Sequence, residues 1–239
     1  MGLLAPLPRA EHALELLDGP VPLDDLRESL ADISRLNALF GGRLVTLAAV
    51  RRLLARVPAG RRVTVLDVGT GGADTPRALV RWARRAGRPV RVFALDRDRP
   101  TLEVARHLAA GYPEIALIQA DALWLPLRAG SVDIVISGLT LHHLEADAAS
   151  ACLAAMDEAA RLGFVVNDLF RSRLAYGLVW LATRLVTRSR LARYDGPLSV
   201  LRAYTPDEVR ALCQKAGLFD VEVRCYPQWL RQCAVKPKP

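Results

Sequence analysis

The residues most able to do chemistry in this chain lie at the ends of short apolar runs. Val65-Leu66-Asp67-Val68 runs into Gly69-Thr70-Gly71-Gly72-Ala73-Asp74. Glycine at such a bend lets the chain turn sharply and lets a ligand approach the backbone with no Cβ in the way. Asp67, two residues before the first glycine, suits a ligand that carries a positive charge. Pro76 sits where the first turn of a helix follows, and Asp74 or Thr75 can cap it. A second run, Val90 to Leu95, ends at Asp96-Arg97, where an acid can accept hydrogen bonds from two ribose hydroxyls. A third, Ile115 to Gln119, is followed by Asp121-Ala122, and a fourth, Val132 to Ser137, by Gly138-Leu139-Thr140-Leu141-His142-His143-Leu144. A nicotinamide or flavin dinucleotide is disfavoured: its third glycine would fall at Asp74, and an acid there repels a pyrophosphate.

The glycine turn with its preceding acid resembles motif I of class I S-adenosylmethionine-dependent methyltransferases, (D/E)-x-G-x-G-x-G, with Ala73 at the last glycine. The ordered stations after it match that family over about residues 60–170. A looser match continues to Tyr204-Thr205-Pro206-Asp207-Glu208-Val209. The resemblance implies S-adenosylmethionine as cofactor, held by Asp67, Gly69, Thr70, Gly71, Asp96, Arg97, Asp121, Ala122 and Ser137. Asp121 would face the adenine amino group, with Leu123 or Trp124 flanking the ring. The Leu-His-His-Leu run looks like that of the ubiquinone/menaquinone-type small-molecule branch. The Ser-Gly-Leu-Thr stretch before it lacks the Asn/Asp-Pro-Pro-Tyr/Phe run of enzymes that methylate adenine or glutamine nitrogen.

Methyl transfer from a sulfonium is an in-line displacement with a good neutral leaving group. Holding nucleophile, methyl carbon and sulfur collinear is a large part of the catalysis. A phenol or enol acceptor also gains from a base working near neutral pH, for which histidine is suited. His142 and His143 are the candidates, and as successive residues they are expected to point different ways, so that at most one faces the acceptor; the alternative is that both are structural, bonding backbone or a helix end. Asp168, Arg171 and Tyr204 are candidate pocket residues, with Arg173 and Arg202 beside them, and Arg43 would pair with the methionine carboxylate of the cofactor if the N-terminal helices close over it. No metal is expected, because adjacent histidines lack i, i+4 spacing and no cysteine cluster accompanies them.

Alternating strands and helices must position these residues, which implies right-handed crossovers and a parallel sheet with ligands at its carboxyl edge. The expected fold is α/β: a Rossmann-like, seven-stranded, mostly parallel sheet whose last strand is antiparallel, with helices on both faces. Residues 1–58 form an N-terminal extension and helical cap, and 59–239 the methyltransferase domain. Residues 1–20 carry Pro6, Pro8 and Pro20 and little periodicity, and read as an extended or mobile lead-in. Leu26, Leu30, Ile33 and Asn37 give one helix face, closed by Gly41-Gly42; Leu47, Val50, Leu54 and Val57 give a second. These two helices either cap the cofactor or cover the sheet. An apolar helical insert at about 172–200 carries Leu174, Leu178, Leu181 and Leu185, and reads as sheet cover, as a lid over a hydrophobic substrate, or as a peripheral membrane contact. Thr205-x-x-Glu208 with Pro206 is a capping box for a helix stopped by Gly217.

With 239 residues and 51% apolar content, one α/β domain has ample core. Thirty of the 33 basic residues are arginine, giving a net charge of +8, but they are spread along the chain rather than massed, so no nucleic-acid partner is expected. The four cysteines form no C-x-x-C pair and read as reduced thiols, which fits a cytoplasmic protein. No transmembrane span or secretory leader is expected. The function expected is methylation, on oxygen or carbon, of a hydrophobic small molecule with a phenolic, polyketide-like or quinone-like ring, by a monomer or homodimer in secondary metabolism. A nucleic-acid methyltransferase and a non-catalytic S-adenosylmethionine-binding protein are the alternatives.

Overall fold

The computed structural model describes residues 2–238. Seven strands form one sheet: β1 (Val63–Val68), β2 (Val90–Asp96), β3 (Ile115–Gln119), β4 (Val132–Gly138), β5 (Ala160–Leu169), β6 (Glu222–Tyr226) and β7 (Arg231–Pro237). Their order is β3-β2-β1-β4-β5-β7-β6. β1 to β5 pair in parallel, and β7 runs antiparallel between β5 and β6. The near-continuous Val, Ile and Leu content of β1 and β4 is what burial on both faces requires.

Among the described residues there are eight α-helices: α1 (Leu23–Leu39), α2 (Gly42–Leu53), α3 (Asp74–Arg85), α4 (Arg99–Leu108), α5 (Ala146–Ala159), α6 (Arg173–Val186), α7 (Arg190–Arg202) and α8 (Pro206–Lys215). On one face, Leu153 and Met156 of α5 and Leu212 of α8 pack with Leu66, Val135 and Phe164. On the other, Val50 of α2 and Leu79 and Val80 of α3 pack with Val65, Val92, Ile134 and Val165. Full burial of each such side chain contributes about 1.5–3 kcal/mol. Pairing in register brings Asp67 beside Ala94 and Ile136, and Asp96 beside Gln119. The acids at the strand ends therefore share one edge of the sheet.

The two N-terminal helices divide their roles. α2 is sheet cover. α1 instead leans over the carboxyl edge, where Leu26 and Leu30 pack with Val104 of α4. The Gly41-Gly42 turn between them is sterically fixed: Gly41 has φ +62°, and a Cβ there would sit 2.5 Å from the Trp229 ring. Thr205 and Glu208 form the capping box of α8. All four cysteines are free thiols.

Two expectations need correction. Residues 2–20 are largely extended, as one of the two readings had it, but they are anchored along their length. The backbone N–H groups of Leu16 and Leu17 donate to the Asp195 carboxylate at 2.7 and 3.1 Å, and Arg9 donates to the Arg202 carbonyl at 2.9 Å. The segment is a strap held by α7, and its anchors lie almost 180 residues away in sequence, which no local periodicity can reveal. The insert is two helices rather than one. They pack closely because Gly196 has no side chain; a Cβ there would meet Thr183 Cγ2 at 2.7 Å. Among the described residues no helix is long and apolar enough to cross a membrane.

Candidate active site

A cavity of about 600 Å³ opens at the carboxyl edge of the sheet. Its floor is the loop after β1. Gly69 has φ +71°, and a Cβ there would collide with the Thr140 hydroxyl, so the loop needs glycine on both counts. Ala73, also buried, holds the left-handed region at φ 55° and starts α3. Asp67 is buried and accepts the Thr70 hydroxyl at 2.7 Å; burial, with Asp74 and Asp96 nearby, pushes its carboxyl up to about 8. Asp96 accepts the N–H groups of Gly71 at 2.9 Å and Asp98 at 3.1 Å, and burial raises its pKa. The strap, α1 and the insert close the cavity above, through Leu17, Leu30, Ile33, Phe40 and Val179.

At the far end Leu141–His143 forms a single 3-10 turn. His142 is buried, and its Nδ1 lies 2.7 Å from Asp168, which also accepts the His142 and Leu169 backbone N–H groups. Burial alone would raise the Asp168 carboxyl, but His142 and these backbone donors hold it below the usual carboxylate range. His143 Nδ1 meets Asp18 at 3.1 Å. The opposite ring nitrogens approach Glu15 of the strap, at 3.6 Å from His142 and 3.9 Å from His143. Glu15 is buried, and burial lifts it to about 7 against the opposing pull of His143, Ser199 and Arg202. The spacing of Glu15, His142 and His143 is one that a divalent ion accepts. Arg202, 3.8 Å from Glu15 and 2.7 Å from Asp18, already supplies a cation there from within the protein.

Residues 65–163 match the family model described as "Methyltransferase domain". Over that stretch, less than half of its length, the chain is similar to methyltransferase domains. Similar curated proteins are a malonyl-[acyl-carrier protein] O-methyltransferase from Xylella fastidiosa, 38% identical over 81 residues, and a 2-phytyl-1,4-naphthoquinone methyltransferase from Thermosynechococcus vestitus, 36% identical over 81 residues. Each match covers 34% of this chain, but only 26% and 35% of the respective relatives. A solved S-adenosylmethionine-dependent methyltransferase from Aquifex aeolicus superposes with a TM-score of 0.53 at 19% identity, over 77% of this chain and 87% of that one. The fold shared with that structure is Rossmann-like.

Asp67, Gly69, Thr70, Gly71, Asp96, Arg97, Asp121 and Ala122 all reach the cavity wall. Ser137 does not: its hydroxyl donates to the Val68 carbonyl at 2.9 Å, behind the wall. Leu123 packs with the core, and Trp124 is 80% exposed, so neither meets the wall. Arg171 is committed to the Ala203 carbonyl and Glu208, and the Tyr204 hydroxyl to the Leu144 carbonyl. Both, like Asp168, stand one layer back. Arg43 lies 3.9 Å from Asp74 rather than on the wall. His142 and His143 both line the cavity, with ring centroids 4.3 Å apart, because a 3-10 turn separates successive side chains by about 120° rather than sending them to opposite faces. Glu15 and Arg231 are among the wall residues that the sequence reading missed. Glu15 gave no signal. Arg231 did, as a charged residue inside an otherwise buried strand.

Proposed function

We propose that the protein transfers a methyl group from S-adenosylmethionine to a hydrophobic small molecule. The acceptor is a phenolic, polyketide-like or quinone-like ring, methylated on oxygen or carbon. One observation carries this reading: a single cavity joins the acid-studded strand ends to an apolar chamber that ends at His142. Bound there, the cofactor supplies an electrophilic methyl. Asp96 receives the ribose hydroxyls, Asp121 and Ala122 face the adenine, and Asp67 offsets the donor's positive charge. Leu17, Ile33, Phe40 and Val179 exclude water from a flat apolar acceptor. His142 takes the acceptor's proton and Asp168 fixes its ring. The α6 helix serves as a lid on its cavity side, while Leu178, Trp180, Leu181 and Leu185 remain exposed on the outer one.

The arginines support a small molecule over a nucleic acid. Arg61 and Arg161 pair with Asp133, Arg84 with Glu114 and Arg52 with Glu222, so much of the basic charge is matched locally.

Calorimetric titration with S-adenosylmethionine and its demethylated product, followed by a mass-detected screen of phenols, enols and quinols, tests the proposal. Binding plus methylation of a ring acceptor is the expected result. A folded protein that binds neither cofactor form overturns it. In the same assay Asp96→Ala should weaken cofactor binding by roughly 10–100-fold, the scale of one hydrogen bond to a charged group or two weaker ones. Unchanged affinity would remove Asp96 from the ribose site.

A further inference from the structure

Among the described residues three arginines are almost wholly buried: Arg171, Arg202 and Arg231. The first two have carboxylate partners at 2.7 Å, Glu208 and Asp18. Arg231 has none within ion-pair distance among the described residues. It opens β7 opposite Leu169, is 2% exposed, and lines the cavity. Its Nη2 donates to Asn37 Oδ1 at 3.2 Å, whereas its Nε and Nη1 have no hydrogen-bond partner. Asp168 and Asp74 act on it only from a distance, and burial lowers its pKa to about 10, which leaves it charged at neutral pH.

A buried, unpaired guanidinium is strongly unfavourable unless an anion completes it. Asn37 steadies the side chain and cannot neutralise it. The amide's other end donates to Asp74 at 2.9 Å, which ties Arg231 to the start of α3 beside the glycine loop. Gly42 makes room for the Asn37–Arg231 pair: a Cβ there would collide with Asn37 Oδ1 and lie 3.2 Å from the guanidinium carbon. We propose that Arg231, braced by Asn37, is a receptor for a carboxylate that enters the cavity with a ligand. The inference rests on reading the cavity as a methyltransferase site. Two ligands can bring that group: the amino-acid end of the cofactor, or an acidic acceptor.

The test compares ligands with and without the carboxylate, on wild type and Arg231→Met. S-adenosylhomocysteine is set against its decarboxylated analogue. Salicylate is set against the neutral salicylamide, on protein saturated with S-adenosylhomocysteine. The wild type should bind the acid of one pair at least about tenfold more tightly than the neutral partner, as charge-assisted hydrogen bonds do. Arg231→Met should abolish that preference and leave the neutral ligand's affinity unchanged, and Arg231→Lys should restore part of it. Loss within the first pair assigns the carboxylate to the cofactor, and loss within the second to the acceptor. No preference in the wild type for either pair, or equal weakening of acid and neutral ligand in the variant, overturns the proposal. If the methionine variant does not fold, Arg231→Gln carries the same comparison. Failure of 5′-methylthioadenosine to bind the wild type would instead overturn the cofactor reading, which keeps the two failures apart.

Discussion

His142→Ala is expected to lower kcat by roughly 10²–10⁴-fold while cofactor affinity stays unchanged. The geometry fixes both halves of this expectation. An ionised carboxylate only accepts, so Asp168 places the imidazole proton on Nδ1 and leaves the Nε2 lone pair on the side of Glu15 and the cavity. Nε2 is therefore the atom that receives a proton from a phenol or enol. Cofactor affinity is spared because the proposed adenosyl contacts lie at β1, β2 and the loop after β3. Asp168→Asn keeps shape and volume yet permits the other tautomer, and should cost a similar factor in kcat. Asp168 is a positioning residue, so its variant should lower kcat while KM for the acceptor stays unchanged, a split that a merely loosened fold would not produce. His143→Ala should cost less, since that ring is more exposed and its Nδ1 is held in the strap's ion-pair network with Asp18 and Arg202. Full turnover in both histidine variants would exclude a histidine base. The likeness to methyltransferases would survive that result.

The sequence was most legible where function is built on short-range pattern. The strand ends at Asp67, Asp96 and Gln119 and the glycine bend follow from apolar runs punctuated by glycine and acid, and the capping box at Thr205 is a four-residue signal. Legibility failed where a side chain's role depends on contacts far along the chain. Ser137, Arg171 and Tyr204 stand at suitable stations, yet backbone carbonyls of neighbouring elements take their donors. Glu15 lies in a segment without periodicity and becomes a wall residue only because Ser199 and Asp195 of the insert hold the strap in place. The expectation that the two histidine rings point different ways fails for a related reason. Its premise was extended backbone, and the chain forms a tight helical turn there instead.

Asp67 should show a conflict between stability and binding that can be read by pH. Its folded pKa of about 8 lies far above the 3.8 of an unstrained aspartate. The folded protein therefore holds a proton that the unfolded chain has released, and stability is lost as pH rises from about 4 to about 8. The slope attributable to this one group is at most about 1.4 kcal/mol per pH unit within that window. Asp67→Asn removes the titration. The variant should melt higher than the wild type in the ligand-free form, with the gap growing as pH rises toward 8. Binding runs the other way, because a positively charged donor favours the ionised carboxylate. Wild-type affinity for S-adenosylmethionine should rise by as much as tenfold per unit up to about pH 8. Loss of the proton on the donor's own amino group would weaken binding over this range, so a rise reports the protein's carboxyl. In Asp67→Asn the affinity should be weaker at pH 8 and nearly flat with pH. Parallel melting curves at all pH values would show that Asp67 is already ionised in the folded protein. A rising affinity retained in the variant would move the titrating group elsewhere, with Asp96 and Glu15 the next carboxyls on the same wall whose pKa burial has raised.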